Sequence, residues 1–148
     1  MSDRAPRLAR DAFRVFRPIA TRWMDNDVYG HVNNVQYYSY FDTAVNGWLI
    51  ERGLLALSSS PVVGLVAETG CTYFESAAFP EPLEAGIAVD RLGRSSVRYR
   101  LGIFRPGAEL AAAQGHFVHV YVDRASQRPV EIPETARAVL SELVVTGR

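Results

Sequence analysis

From Val35 to Gly53 the chain reads VQYYSYFDTAVNGWLIERG, with apolar positions at Val35, Tyr38, Phe41, Val45, Trp48 and Leu49. Steps of three and four residues put these on one side of an α-helix about five turns long. Gly53 is a natural stop, because glycine accepts the left-handed conformation that ends a helix. Asn33 or Asn34 is a natural N-cap. Outside this segment the period changes to two. FRVFRPIATRW (13–23) reads as a first strand, in which Pro18 lacks a ladder donor and marks an edge or bulge. The stretches 61–77, 81–93, 95–105 and 109–123 alternate in the same way. The breaks between them, AFPEP, LGRSS, RPGAE and DRASQRP, are rich in turn residues. Short connections between consecutive strands predict an antiparallel meander. A last short helix starts at Pro133 in IPETARAVLSELV, where proline suits the first turn and Glu134 suits the helix dipole.

Strand, long helix, then four strands is an α+β plan with one helix and one sheet. Tyr37, Tyr38, Tyr40 and Phe41 make the helix too apolar to lie exposed, so a single curved antiparallel sheet must bury it. That leaves the other face or edge of the sheet uncovered, and a second copy of the chain is the economical cover. No repeat or long linker divides the sequence, so residues 1–148 form one domain, with 1–12 expected as a flexible arm.

Composition narrows the function. Sixteen basic residues, all Arg, balance sixteen acidic ones. A neutral chain lacks the positive excess that phosphate-backbone binding needs, so no nucleic-acid partner is expected. No apolar run reaches the length of a membrane span, and the basic N-terminus has no apolar signal core. The lone cysteine, Cys71, excludes an intrachain disulfide and fits a reducing cytoplasm; its alternating segment marks it as a small buried hydrophobe.

The chemistry concentrates in DNDVYGHVNN, residues 25–34. Asp, Asn and Gly are ordinary turn residues, and a strand-to-helix connection uses them in any protein. Gly30 fits a positive φ, and His31 taken alone fits a structural role. Asp25 and Asp27 exceed what a turn needs. Two apart in an extended loop, they point the same way and repel unless one has donors. Asp27 also precedes a helix whose first amides are unpaired and partly positive. A carboxylate beside such amides offers a base or nucleophile together with donors for a developing oxyanion, which is what a carbonyl substrate requires.

The run RWMDNDVYGHVNNVQYYSYFD closely resembles the signature of hot-dog-fold acyl-coenzyme A thioesterases of the 4-hydroxybenzoyl-coenzyme A thioesterase-like family, matching Asp-x-Asp-x-x-Gly-His-Val-Asn-Asn-x-x-Tyr from Asp25 through Tyr37. Supporting likeness comes from the turn at 92–96, the late strand with Gly115, His119 and Val120, and RPVEIP at 128–133. The resemblance implies a long helix wrapped by an antiparallel sheet and acyl-coenzyme A hydrolysis. It implies a homodimer or homotetramer with sites at the subunit interface. It assigns the catalytic carboxylate to Asp27, either attacking the thioester carbonyl or activating a water, and the oxyanion donor to the backbone amide of Asn34. Gly30 would let the backbone approach the thioester, His31 would orient the loop or bond a carboxylate, and Asn33 would cap or anchor it. The 4-hydroxybenzoyl enzyme lacks the His-Val-Asn-Asn segment, so the likeness is to the broader acyl-coenzyme A branch.

Coenzyme A carries phosphates that Arg grips bidentately, and DRLGRSSVRYR offers Arg91, Arg94, Arg98 and Arg100. The resemblance favours the turn, with Arg94 first and Arg91 and Ser95 beside it. Against this, any one Arg serves equally as a solvated strand face. Coenzyme A is then part of the substrate, with no metal and no separate cofactor expected. His116 and His119, three apart on a strand, fall on opposite faces. Neither a metal-binding nor a phosphate-loop motif is present, and there is no Gly-x-Ser-x-Gly; Ser58 to Ser60 read as a plain loop. Two rivals remain: a dehydratase or hydratase using His31 with Asp27, and a non-catalytic acyl-thioester-binding module.

Overall fold

Seven buried side chains at spacings of three and four, Tyr37, Tyr40, Phe41, Ala44, Val45, Trp48 and Leu49, define the inner face of helix α1 (Gln36–Glu51). In this computed structural model, which describes residues 6–56 and 59–145, that face rests on a five-stranded sheet. The strands are β1 (Val15–Ala20), β2 (Val62–Tyr73), β3 (Pro82–Leu92), β4 (Ser96–Phe104) and β5 (Ala113–Asp123), and a short helix α2 (Glu134–Leu140) follows. The buried stripe is rotated from the one expected: Val35 is 58% exposed, whereas Tyr37 and Tyr40 point inward. The reason is polar. Tyr40 turns in because its hydroxyl finds a buried carboxylate there, as described below.

All pairings are antiparallel, in the order β1-β3-β4-β5-β2. The expected meander holds for β3, β4 and β5, and Pro18 lies on an edge strand, as its missing donor requires. For β2 the expectation fails: it pairs with β5 at the far edge instead of with β3. The segment 74–81 therefore crosses three inter-strand spacings, about 14 Å, over one end of the sheet. Its Ala77 carbonyl accepts the Val32 amide at 2.8 Å, tying this crossing to the loop before α1.

The outer face is partly covered by the chain itself. Phe13, Ala88, Phe104 and Ala111 form a second apolar cluster, with Leu8, Ala12, Phe16 and Val145 packed on it. Gly102 makes room, since a Cβ there would lie 2.6 Å from Phe13 Cζ. The arm expected over 1–12 is thus docked in its described part. The Leu8 amide donates to Gln114 Oε1 at 2.7 Å, Arg10 Nε donates to the Ala108 carbonyl at 2.6 Å, and Ala9 bridges Leu110. Alternation could not reveal this segment, because it adds no strand. Residues 1–5, and Ser58 of the serine loop, lie outside the described residues. Cys71 is half-buried on β2, and burial pushes its thiol up to about 11. Among the described residues no helix is long and apolar enough to cross a membrane.

Candidate active site

The two aspartates do not share a site. A short 3-10 turn, Trp23–Asp25, turns the Asp25 side chain into the core, where it is fully buried. Its Oδ2 accepts the Tyr40 hydroxyl at 2.7 Å and the Arg22 amide at 3.0 Å, and its Oδ1 accepts Arg22 Nε at 2.9 Å. Burial alone pushes the carboxyl up, but the Arg22 and Tyr40 bonds together outweigh it and hold the group below its ordinary value. Conversely, burial and the bond to Asp25 raise the Tyr40 hydroxyl. A satisfied, ionised carboxylate thereby pins the start of the loop to α1.

Asp27 is half-exposed and sits in a turn that its own backbone closes. Its amide donates to the His31 carbonyl at 2.9 Å, and its carbonyl accepts the Gly30 amide at 3.0 Å. Gly30 has φ +82°, the conformation for which glycine was expected. The Asp27 carboxylate accepts the Tyr29 amide on Oδ1 at 2.9 Å and Asn33 Nδ2 on Oδ2 at 3.2 Å. Asn33 links the parts: its amide donates to the Asp25 carbonyl at 2.9 Å, and its Oδ1 accepts the Val35 amide at 3.0 Å. The Asn33 side chain thus closes a turn just ahead of a helix that starts at Gln36, whose N-cap position, Val35, supplies no side-chain cap. The Asn34 carbonyl accepts the Tyr37 amide at 3.3 Å and the Tyr73 hydroxyl at 3.0 Å. Its own amide has no acceptor among the described residues.

Asp27, His31 and Asn34 line one cleft of about 460 Å³, whose other walls include Tyr37, Tyr73 and Glu75. Tyr37 and Tyr73 meet edge to face at 5.1 Å. Bonds from Arg7 and Arg105 hold the Glu75 carboxyl below its ordinary value. His31 is exposed, and its imidazole makes no hydrogen bond among the described residues. His31 contributes to the loop through its backbone carbonyl, which accepts the Asp27 amide, and the side chain that bonds the Asp27 carboxylate is Asn33. Sequence reasoning missed Tyr73 and Glu75, which arrive from a distant strand end. Only their pairing on the sheet brings them here.

A sequence profile of the thioesterase-like superfamily matches residues 21–140. The chain belongs to that superfamily. Among solved structures it is similar to the PA5185 protein of Pseudomonas aeruginosa strain PAO1: 52% identity, TM-score 0.93, covering 97% of this chain and 100% of that one. It is also similar to PA2801, a candidate thioesterase of Pseudomonas aeruginosa, at 28% identity and TM-score 0.77, covering 84% and 96%. A DHNA-CoA thioesterase from Staphylococcus aureus shares the fold at 18% identity and TM-score 0.73, covering 86% of each chain. No protein of curated function matches the sequence. The hot-dog fold expected from the sequence is therefore the fold observed, and the superfamily supports thioester hydrolysis as the reaction class.

Against this hot-dog frame the arginine turn lies elsewhere. Asp27 sits beside the Tyr73 end of β2, which is level with Ala113 on β5 and Ile103 on β4. Arg94 and Ser95 precede Ser96, seven residues back along β4 from Ile103, or about 24 Å away. Arg94 is 80% exposed with Nε 3.1 Å from Glu131, the Ser95 carbonyl accepts the Tyr121 amide, and Arg91 is exposed opposite Arg98. Within one chain Arg91, Arg94 and Ser95 are not brought together with Asp27, since β4 separates them by its length. Arg98 and Arg100 act as strand-face residues, paired with Glu68 at 3.5 Å and Asp90 at 2.7 Å. His116 and His119 fall on opposite faces as expected. His116 Nε2 lies 2.8 Å from Glu68, whereas His119 is buried against Tyr99 and Phe117. Among the described residues no group of three or more His, Cys, Asp or Glu is placed to hold a metal ion.

Proposed function

We propose that this chain hydrolyses acyl-coenzyme A thioesters, with Asp27 as the catalytic carboxylate and the Asn34 backbone amide as the oxyanion donor. The observation that carries this reading is the shared cleft: an oriented, half-exposed carboxylate and an amide without an internal acceptor, at the start of α1. The thioester carbonyl oxygen lies toward the Asn34 amide, where the partial positive charge of the helix end favours the tetrahedral oxyanion. In one route an Asp27 oxygen attacks the carbonyl carbon, the C–S bond breaks, and the coenzyme A thiolate leaves and is protonated. Water then hydrolyses the resulting anhydride. In the other route Asp27 takes a proton from a water, whose oxygen attacks the carbonyl carbon; the tetrahedral intermediate then collapses with cleavage of the C–S bond, and the leaving coenzyme A thiolate takes up the proton. In both, Tyr29 and Asn33 hold the carboxylate, and Gly30, lacking a side chain, leaves the approach open. The His31 imidazole stands at the cleft wall without a bond to the Asp27 carboxylate, which disfavours a dehydratase needing that pair. The chemistry uses these groups and a coenzyme A that belongs to the substrate.

The same reading makes the protein a cytoplasmic homodimer or homotetramer. β2 is a twelve-residue edge strand with Leu65 and Val66 exposed, an edge that a monomer leaves open to pairing. Two-fold pairing of two such edges is antiparallel. It sets the partner's Arg94 turn at the same end of the joined sheet as this protomer's Asp27, within reach of an extended coenzyme A. That supports Arg94, with Arg91 and Ser95, as a phosphate contact made across the dimer.

The test is free-thiol release from short, medium, long and aromatic acyl-coenzyme A substrates by the wild type and Asp27→Asn, with folding checked by circular dichroism. Turnover lost in a folded Asp27→Asn is expected. Thiol release unchanged by the substitution removes Asp27 from the chemistry, and tight binding without turnover by the wild type supports a binding module.

A further inference from the structure

Asp27 lines two clefts that share no other residue. The second is about 500 Å³ and is walled by Trp23, Met24, Asn26, Val28 and Gly30. We infer that this second cleft is the subsite for the hydrocarbon part of the acyl group, and that it makes the enzyme selective for alkyl chains over small acyl groups. The inference rests on the thioesterase reading and adds the direction in which the substrate lies.

A thioester carbonyl has two arms, the acyl carbon and the sulfur-bound pantetheine, and a carboxylate at the junction of two clefts suits both. The chemistry of the walls assigns them. The cleft beside Tyr37 and Tyr73 continues past His31, Glu75 and Ser76 into a groove that also holds Glu81 and Arg105. There Arg105 bonds both Glu81 and Glu75. An alkyl chain laid along it would strip water from these charges and return no hydrogen bond, whereas amide and hydroxyl groups of a pantetheine arm can replace that water.

The second cleft is the reverse. Trp23, Met24 and Val28 are 79%, 70% and 93% exposed, three large apolar side chains within six residues. Such a concentration beside a catalytic group marks a binding surface. Asp27 is the one charged residue in its walls among the described residues. The walls are also held in place: the Trp23 ring meets Phe79 edge to face at 6.2 Å, and Asn26 Oδ1 accepts the Phe79 amide at 3.0 Å. The Asn26 side-chain carbonyl oxygen is therefore already bonded within the chain, and an alkyl chain laid on the apolar walls does not strip water from it.

Steady-state thiol release from straight-chain acyl-coenzyme A esters of two to sixteen carbons tests this, with the wild type, Trp23→Ala and Val28→Asp and with oligomeric state followed by light scattering. Both side chains are exposed, so neither substitution disturbs the core. The expected result is a wild-type kcat/KM that rises with chain length and a dodecanoyl-to-acetyl ratio that falls about tenfold in each variant. An unchanged ratio in active variants overturns the subsite. Equal loss for all chain lengths together with dissociation of the oligomer overturns it too, and makes this face a contact with a second copy. A wild type active on no thioester overturns the thioesterase reading itself and the subsite with it.

Discussion

Tyr40→Phe removes one oxygen from the buried hub beneath the loop before α1 and leaves the ring that packs 5.8 Å from Tyr37. The lost bond is a 2.7 Å hydroxyl donation to the fully buried Asp25 carboxylate. Hydrogen bonds to charged groups contribute about 1.5–3 kcal/mol. Asp25 keeps its two bonds from Arg22, so a cost near the low end, about 1.5 kcal/mol, is expected at pH 7. The sign of the pH dependence follows from Asp25. Its folded carboxyl is held below the unfolded value, so its contribution is fully present above that value, about 3.9. The contribution fades as pH falls through the folded value, where the carboxylate takes up a proton. Losing the Tyr40 donor moves the folded value up toward the unfolded one, so the deficit of the variant should be largest near neutrality and shrink in acid. Urea unfolding followed by tryptophan fluorescence, at fixed protein concentration and at several pH values, measures this directly. A Tyr40→Phe protein as stable as wild type at pH 7, or a deficit that grows in acid, would refute the hub.

Asn33→Ala should cost about 1 kcal/mol through the lost turn bond to the Val35 amide. It should also lower kcat by roughly tenfold, because Asp27 loses its Oδ2 donor; denaturation and thiol release read the two effects separately. Burial keeps His119 neutral and pushes its imidazole down to about 4. Stability from this group is full above its unfolded value near 6.5 and is lost as pH falls toward the folded one, by up to about 3 kcal/mol. His119→Leu should flatten that part of the stability profile between pH 7 and 4, and an identical slope in both proteins would count against it. In Gly115→Ala a Cβ would lie 2.0 Å from the Gly70 carbonyl oxygen and 3.0 Å from Phe41 Cε2. Parting β2 from β5 to relieve that should cost roughly 3 kcal/mol or more, visible as a lower melting temperature or an insoluble product.

What the sequence determined by itself was local. Apolar spacing located α1 within a few residues, and alternation found β1 to β5 because a half-buried strand must alternate. Gly30 was legible because positive φ has few alternatives to glycine, and the position of Asp27 in the loop before α1 followed from where the apolar stripe begins. The tertiary structure decided whatever depends on which distant segments meet. The break before β3 serves a hairpin or a crossing equally well, so only packing sent β2 to the far edge, and with it brought Tyr73 and Glu75 to the cleft. Asp25 and Asp27 look alike in sequence, and Tyr40, fifteen residues away, separates a buried anchor from a half-exposed carboxylate. Arg94 sits in a turn chemically suited to phosphate, but the length of β4 removes it from Asp27 within one chain. Periodicity records which face each residue presents to its neighbours in sequence, whereas a site is set by the pairing of faces, and that information resides in the assembled sheet.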